Sequence, residues 1–180
     1  MDNVTHTLVG LTLARTPLSR VGPGTTAVLV LASNAPDLDA VVLARGGASA
    51  YVHWHRGPTH GLIGVIGLGV LTAGTVWVAL RTRSADRDRG AASFPALCAL
   101  SMLGALVHVL MDIPTHERYL TPTFFPVSNF TIMGHAWNRP SVLFGNAAAL
   151  LVSCAVLFWR SWRPGRPPRA DPWPEDVDGP

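Results

Sequence analysis

Three short stretches of this 180-residue chain carry side chains that can hold a metal ion. In HVLMD, residues 108–112, a histidine and an aspartate stand four apart. On a helix those positions share one face, so His108 and Asp112 can grip a single ion. Pro114 follows and biases the chain to leave the helix there. In NAPDLD, residues 34–39, Asp37 and Asp39 are two apart. In extended backbone such a pair points the same way. HRGPTH, residues 55–60, supplies His55, Arg56 and His60 around a Gly57-Pro58 bend, with Thr59 as a reasonable N-cap and His60 in the first helical turn. Asp37, Asp39, His60, His108 and Asp112, with His6 and His116 as further candidates, form a mixed imidazole and carboxylate set. That is the ligand chemistry of catalytic zinc, and also of manganese or iron. The number of groups allows two ions without requiring them. Such an ion would lower the pKa of bound water towards neutrality.

Each motif also has a plain structural reading. His108 could be a histidine partnered by a helical carboxylate, NAPDLD a solvated turn, and Arg56 an anchor for lipid headgroups. The pair Thr-His recurs at Thr5-His6, Thr59-His60 and Thr115-His116. In the first two, a hydroxyl N-cap would set a histidine at a helix start, and a threonine hydroxyl can also support a histidine ligand.

The elements that must position these residues are apolar. Hydrophobic residues make up 48% of the chain and charged ones 14%, a balance that suits a membrane protein. Segments 61–80, 91–111 and about 141–159 each approach the ~20 residues of a spanning helix. Two shorter apolar segments, 5–14 and 25–35, flank the helix-breaking RTPLSRVGPG and predict a hairpin that only partly crosses the bilayer. The expected fold is therefore all-α: a multi-pass membrane bundle of four to five helices, the first two short. The domain would run over residues 1–159, and residues 160–180, rich in proline and charge, read as a disordered tail. Cys98 and Cys154 lie in apolar runs and read as small buried hydrophobes. The start, MDNVTHTLVG, lacks the positive region of a secretory signal and reads as part of the fold.

All the basic residues are arginine, and their placement predicts orientation. Arg15, Arg20, Arg81, Arg83, Arg87, Arg89, Arg160, Arg163, Arg166 and Arg169 fall on one side of an alternating topology. Positive-inside bias makes that side, with the tail, cytoplasmic. It also explains the net charge of +3 without nucleic acid as a partner. All seven histidines, the aspartate pair and Asp112 then stand at the extracytoplasmic face of an inner, or plasma, membrane, next to the lipids.

MDNVTHTLVG, NAPDLD, HRGPTH and HVLMDIPTH, in that order and spacing, resemble the YdjM-like family of membrane-bound metal-dependent hydrolases. The resemblance runs from residue 1 to about 145. It implies a multi-pass helical inner-membrane protein with a metal-dependent hydrolase site and no assigned substrate. The family pattern has serine where this chain has Gly61, and residues 117–137 match only in outline. The His/Asp pattern is similar, more loosely, to the zinc phospholipase C and P1 nuclease group, whose metal clusters cleave phosphodiesters.

These residues support an integral-membrane metallohydrolase. Asp37, His60, His108 and Asp112 would hold the metal, with His6 and His116 completing it. Asp39 would bridge or act as base, and Arg56 would stabilise charge on a phosphate ester or lipid headgroup. The competing readings are a non-catalytic membrane protein whose cluster is a structural metal site or ion path, and histidines that bind nothing and line the interface. His53, His55 and His135 are given no role, and neither the substrate nor the oligomeric state is specified by the residues.

Overall fold

The computed structural model describes residues 2–41, 44, 46, 47, 57–82, 92–115, 124, 127, 128, 130 and 139–162. Among these there is no strand. The helices with both ends among the described residues are α1 (Asn3–Ala14), α2 (Thr25–Ala32), α3 (Leu62–Thr82), α4 (Phe94–Asp112) and α5 (Pro140–Trp162). Short 3-10 segments, Pro17–Val21, Ala35–Ala40, Pro58–His60 and Ile113–Thr115, join or extend them.

Among the described residues three helices are long and apolar enough to cross a membrane: α3, α4 and residues Pro140–Ser161 of α5. At ~1.5 Å per residue the 21 residues of α3 reach about 31 Å, the thickness of the hydrocarbon core. With 12 and 8 residues, α1 and α2 are only about 18 and 12 Å long. Neither can span alone. They pack on each other, α2 also packs on α4 and α3, and α1 packs on α5, which shields the backbone at the hairpin's ends. Of the three spanning helices α4 is the most buried and α5 the least.

The helix boundaries follow from local chemistry. Asp2 caps α1, its carboxylate accepting from the Thr5 backbone N–H at 2.9 Å and from the Thr5 hydroxyl at 2.8 Å. The expected cap, Thr5, thus stands inside the first turn, because the acidic side chain three residues earlier is the stronger acceptor. Ser93 caps α4 and Pro95 sits in its first turn, where its missing N–H costs nothing. Helix α5 continues through Arg160 to Trp162, past the expected end at residue 159, since nothing opposes the helix until Pro164 disfavours it at the preceding residue. Cys154 is exposed rather than buried, on a helix whose outer face meets lipid, whereas Cys98 is partly buried.

Apolar packing divides into two clusters. The larger one joins Ala14, Val28, Leu29, Ala73, Val76, Leu80, Leu97 and Leu100 at the end of the bundle where Arg15 and Arg81 leave the helices. The smaller one, Val65, Ala105 and Val109, lies between α3 and α4 beneath the opposite end. Close backbone approach at two glycines draws α2 into the bundle. A Cβ on Gly10 would stand 3.0 Å from the Leu29 carbonyl, and one on Gly104 would stand 3.1 Å from the same oxygen. Small residues of this kind let membrane helices approach closely.

At Gly64 the Pro58–His60 turn folds back over the first turn of α3, and a Cβ there would collide with the Thr59 carbonyl. Gly64→Ala is expected to lower stability by about 1–3 kcal/mol through overpacking. Gly67→Ala, where the added Cβ meets nothing, should cost no stability. Thermal unfolding of the two variants in detergent micelles checks the contrast.

Candidate metal centre

Four side chains from three separate segments, the Ala35–Ala40 turn, the Pro58–His60 turn and α4, converge at the end of the bundle away from Arg81. One ligand atom from each of Asp37, His60, His108 and Asp112 lies within 4.8 Å of all the others. His60 Nε2 is 3.3 Å from His108 Nε2. Asp37 Oδ1 is 3.4 Å from the first nitrogen and 3.5 Å from the second. Asp112 Oδ2 is 3.8 Å from each. Donors held about 2.0–2.2 Å from a zinc ion in a tetrahedron stand roughly 3.3–3.6 Å apart. The imidazole–imidazole and imidazole–carboxylate separations match that figure to within a few tenths of an ångström. His60, His108 and Asp112 have fully buried side chains, and Asp37 alone keeps 11% of its side-chain surface exposed.

The neighbours of the two imidazoles fix which nitrogen faces the centre. His108 Nδ1 lies 2.7 Å from the Ser33 carbonyl. A carbonyl only accepts, so Nδ1 carries the proton and donates it. In neutral His108 the lone pair is then on Nε2, facing the other donors. Ser33 is the C-cap of α2, and its carbonyl is one that the helix leaves free. The buried histidine and the helix end thus satisfy each other. His60 follows the same logic. The Thr59 hydroxyl donates to Asp39 Oδ2 at 2.7 Å, leaving its oxygen to accept from His60 Nδ1 at 3.1 Å. Asp39 Oδ2 itself is 3.4 Å from that nitrogen. In neutral His60 the proton therefore belongs on Nδ1, with the Nε2 lone pair turned towards the centre.

Two bare nitrogens 3.3 Å apart between two carboxylates repel unless something positive joins them. A proton on His60 is one answer. Burial works against its charged form, but the bonds to Asp37 and Asp39 outweigh burial and raise its pKa. For Asp37, burial opposes the carboxylate, yet its bonds to His108 and His60 hold its pKa well below the usual range. A divalent cation answers the same need and satisfies all four donors at once.

His6 stands one layer behind. Its Nε2 lies 3.2 Å from Asp112 Oδ1, the oxygen turned away from the other three donors, and its ring stacks on His108 at a centroid distance of 3.8 Å. The ring is fully buried, and its Nδ1 has no hydrogen-bond partner among the described residues. His6 thus reaches Asp112 from across 106 positions of sequence. Arg56, His116, His53, His55 and His135 lie outside the described residues.

A family model described as YdjM inner membrane protein matches residues 1–167. The chain belongs to that family. No curated protein and no solved structure matches it. Family membership and the three apolar helices together make this a membrane protein.

Two local readings are corrected in this YdjM-family chain. Asp37 and Asp39 sit on a 3-10 segment, not an extended one, so at about three residues per turn they diverge. They reach His60 at opposite edges of its ring, with Asp39 on the far side from the donor set. His60 ends a 3-10 turn instead of entering α3, because the Pro58 turn closes at Gly61 and the Gly61 carbonyl starts the helix by accepting from Val65 at 3.0 Å. Sequence reasoning missed two supports. The Ser33 carbonyl carries no side-chain signature at all. Asn34, which donates to Thr7 Oγ1 at 3.1 Å and ties the Ala35–Ala40 turn to α1, was legible only as a turn residue.

Metal affinity at this centre should fall with acidity, because the proton and the ion compete for His60 Nε2. Since the pKa of His60 is raised, the loss begins above its ordinary ~6.5 as pH drops. Calorimetric zinc titrations between pH 8 and 6 should show weakening affinity, with Asp39→Asn weaker than wild type by about 10–100-fold. A pH-independent affinity would contradict the assignment of His60.

Proposed function

We propose that this YdjM-family protein is an integral-membrane, metal-dependent hydrolase, with Asp37, His60, His108 and Asp112 as the ligands. The observation that carries the reading is the convergence of two tautomerically fixed imidazoles and two carboxylates at zinc-like spacing. Zinc suits this set best, with manganese or iron as alternatives. The ion supplies Lewis acidity and acidifies water near neutral pH.

The remaining residues have roles that follow from their contacts. His6 holds Asp112 through Oδ1 and so orients its other oxygen. Asp39, a base or bridging ligand in the sequence reading, becomes a positioning residue that holds the His60 tautomer through Nδ1. Asp37, the only donor with exposed surface, is the side from which water and substrate enter. Arg56 remains the proposed cation for charge developing on a phosphate ester, and His116 a proposed further ligand. The site belongs on the extracytoplasmic face, with the tail after Trp162 cytoplasmic, on the strength of the arginine distribution.

One observation favours a second reading. Four protein ligands close a tetrahedral zinc, as in structural sites, whereas catalytic sites usually keep one position open. An ion path is disfavoured, since the core at the Arg81 end is apolar.

Phosphate release from p-nitrophenyl phosphate and from phosphatidic acid by metal-loaded protein separates the readings. His108→Ala and Asp112→Ala should each lose the metal and at least a hundredfold of activity. Metal-replete wild type inactive on every ester tried, yet thermally stabilised by the ion, would favour the structural site. A fully active, metal-replete double variant would overturn both.

A further inference from the structure

We infer that the groove between α2 and α3 seats an acyl chain, and that the ester presented to the metal centre is therefore carried by a membrane lipid. The substrate half of this inference rests on the hydrolase reading, whereas the groove stands on its own geometry. A cavity of about 270 Å³ opens beside the Ala35–Ala40 turn, walled by Leu31, Ala35, Leu38, Leu71, Thr72 and Thr75. A larger one of about 520 Å³ shares Leu31 and Thr75 with it and continues towards Leu80, with room for the excess of a long chain.

Depth, lining and continuity together select the occupant. Leu71 lies nine residues into α3, about 14 Å from its start. Half the hydrocarbon core is about 15 Å. A chain whose headgroup is level with His60 thus ends beside Leu71 and Thr75. The wall is open to the bilayer, with Leu31 51%, Leu38 66% and Leu71 65% exposed, and at that depth hydrocarbon is what fills an apolar groove. Two polar side chains of the lining already have partners. Thr75 donates to the Leu71 carbonyl at 2.9 Å and Asn34 to the Val30 carbonyl at 2.9 Å, so the chain meets methyl and methylene surface.

Continuity with the metal centre is built into one turn. Leu38 lies between Asp37 and Asp39 on the same 3-10 segment. Its neighbours turn inward to His60 while Leu38 turns outward to form the groove wall. One helical turn nearer the centre than Leu71, Gly67 leaves the surface of α3 open, for a Cβ there would meet nothing within 4 Å. A lipid lying along this strip would bring its headgroup ester to the exposed side of Asp37.

The test is photolabelling of the full chain in phosphatidylcholine vesicles containing a few per cent of a phosphatidylglycerol probe, with the sites mapped by mass spectrometry. With the diazirine at the acyl terminus, labelling of Leu31, Leu71 and Thr75 should exceed that of Leu106 and Leu151, lipid-facing residues elsewhere, by at least fivefold. With the diazirine in the headgroup, labelling should move to the Asp37–Leu38 turn. Gly67→Trp should reduce the groove labelling at least threefold. His108→Ala should keep it, so loss of the metal centre and loss of the groove are separately visible. Uniform labelling over α3, α4 and α5 in metal-replete protein would overturn the groove. So would a groove protected from the probe by a second copy or another protein.

Discussion

Two imidazole Nε2 atoms, each on a ring whose Nδ1 is held by a hydrogen bond on the other side, face one another at 3.3 Å in a buried pocket. Two carboxylates close the set. Left alone, this arrangement is among the costliest a protein can bury, since lone pairs and negative charges gather where water is scarce. A cation shared among the four donors would offset that cost. Much of the bundle's architecture at this end holds these four side chains in place.

The means are mostly backbone. Close approach at Gly10 and Gly104 brings α2 against both α1 and α4, so that the last carbonyl of α2 lies within reach of His108. Because α2 is short, its C-terminal end is buried among the other helices at Ser33. The helix thus supplies a buried carbonyl acceptor to His108. Gly64 does the equivalent service for His60 by letting the Pro58–His60 turn lie on α3. Val65, Ala105 and Val109 form an apolar floor that ties α3 to α4 beneath the site. The expense of placing polar groups at the bundle end is thus set against packing in adjacent layers.

The parts of this arrangement that are local in sequence were legible there. The His108–Asp112 pair follows from helical spacing alone, and the three long apolar runs appear as the three helices long enough to cross. Turn chemistry was less legible. The proline of NAPDLD signalled a turn but not its 3-10 geometry, and that geometry sends Asp39 to the far edge of the His60 ring. The helix start itself was displaced by two residues past the expected Thr59 cap, because Pro58 and Gly61 compete with Thr59 for it. Contacts between distant segments were illegible in principle. His6 meets Asp112 and His108 meets the Ser33 carbonyl only once the glycine contacts have set the helices side by side. A backbone acceptor leaves no trace in residue identity.

The central claim is that these four side chains form one coordination sphere, and X-ray absorption at the zinc edge of zinc-loaded, detergent-purified protein tests it most directly. The account predicts one ion per chain with nitrogen and oxygen neighbours at about 2.0–2.1 Å, the outer-shell scattering of two imidazoles and no sulfur. An ion surrounded by six oxygens without imidazole scattering, or no bound zinc at all, would contradict it.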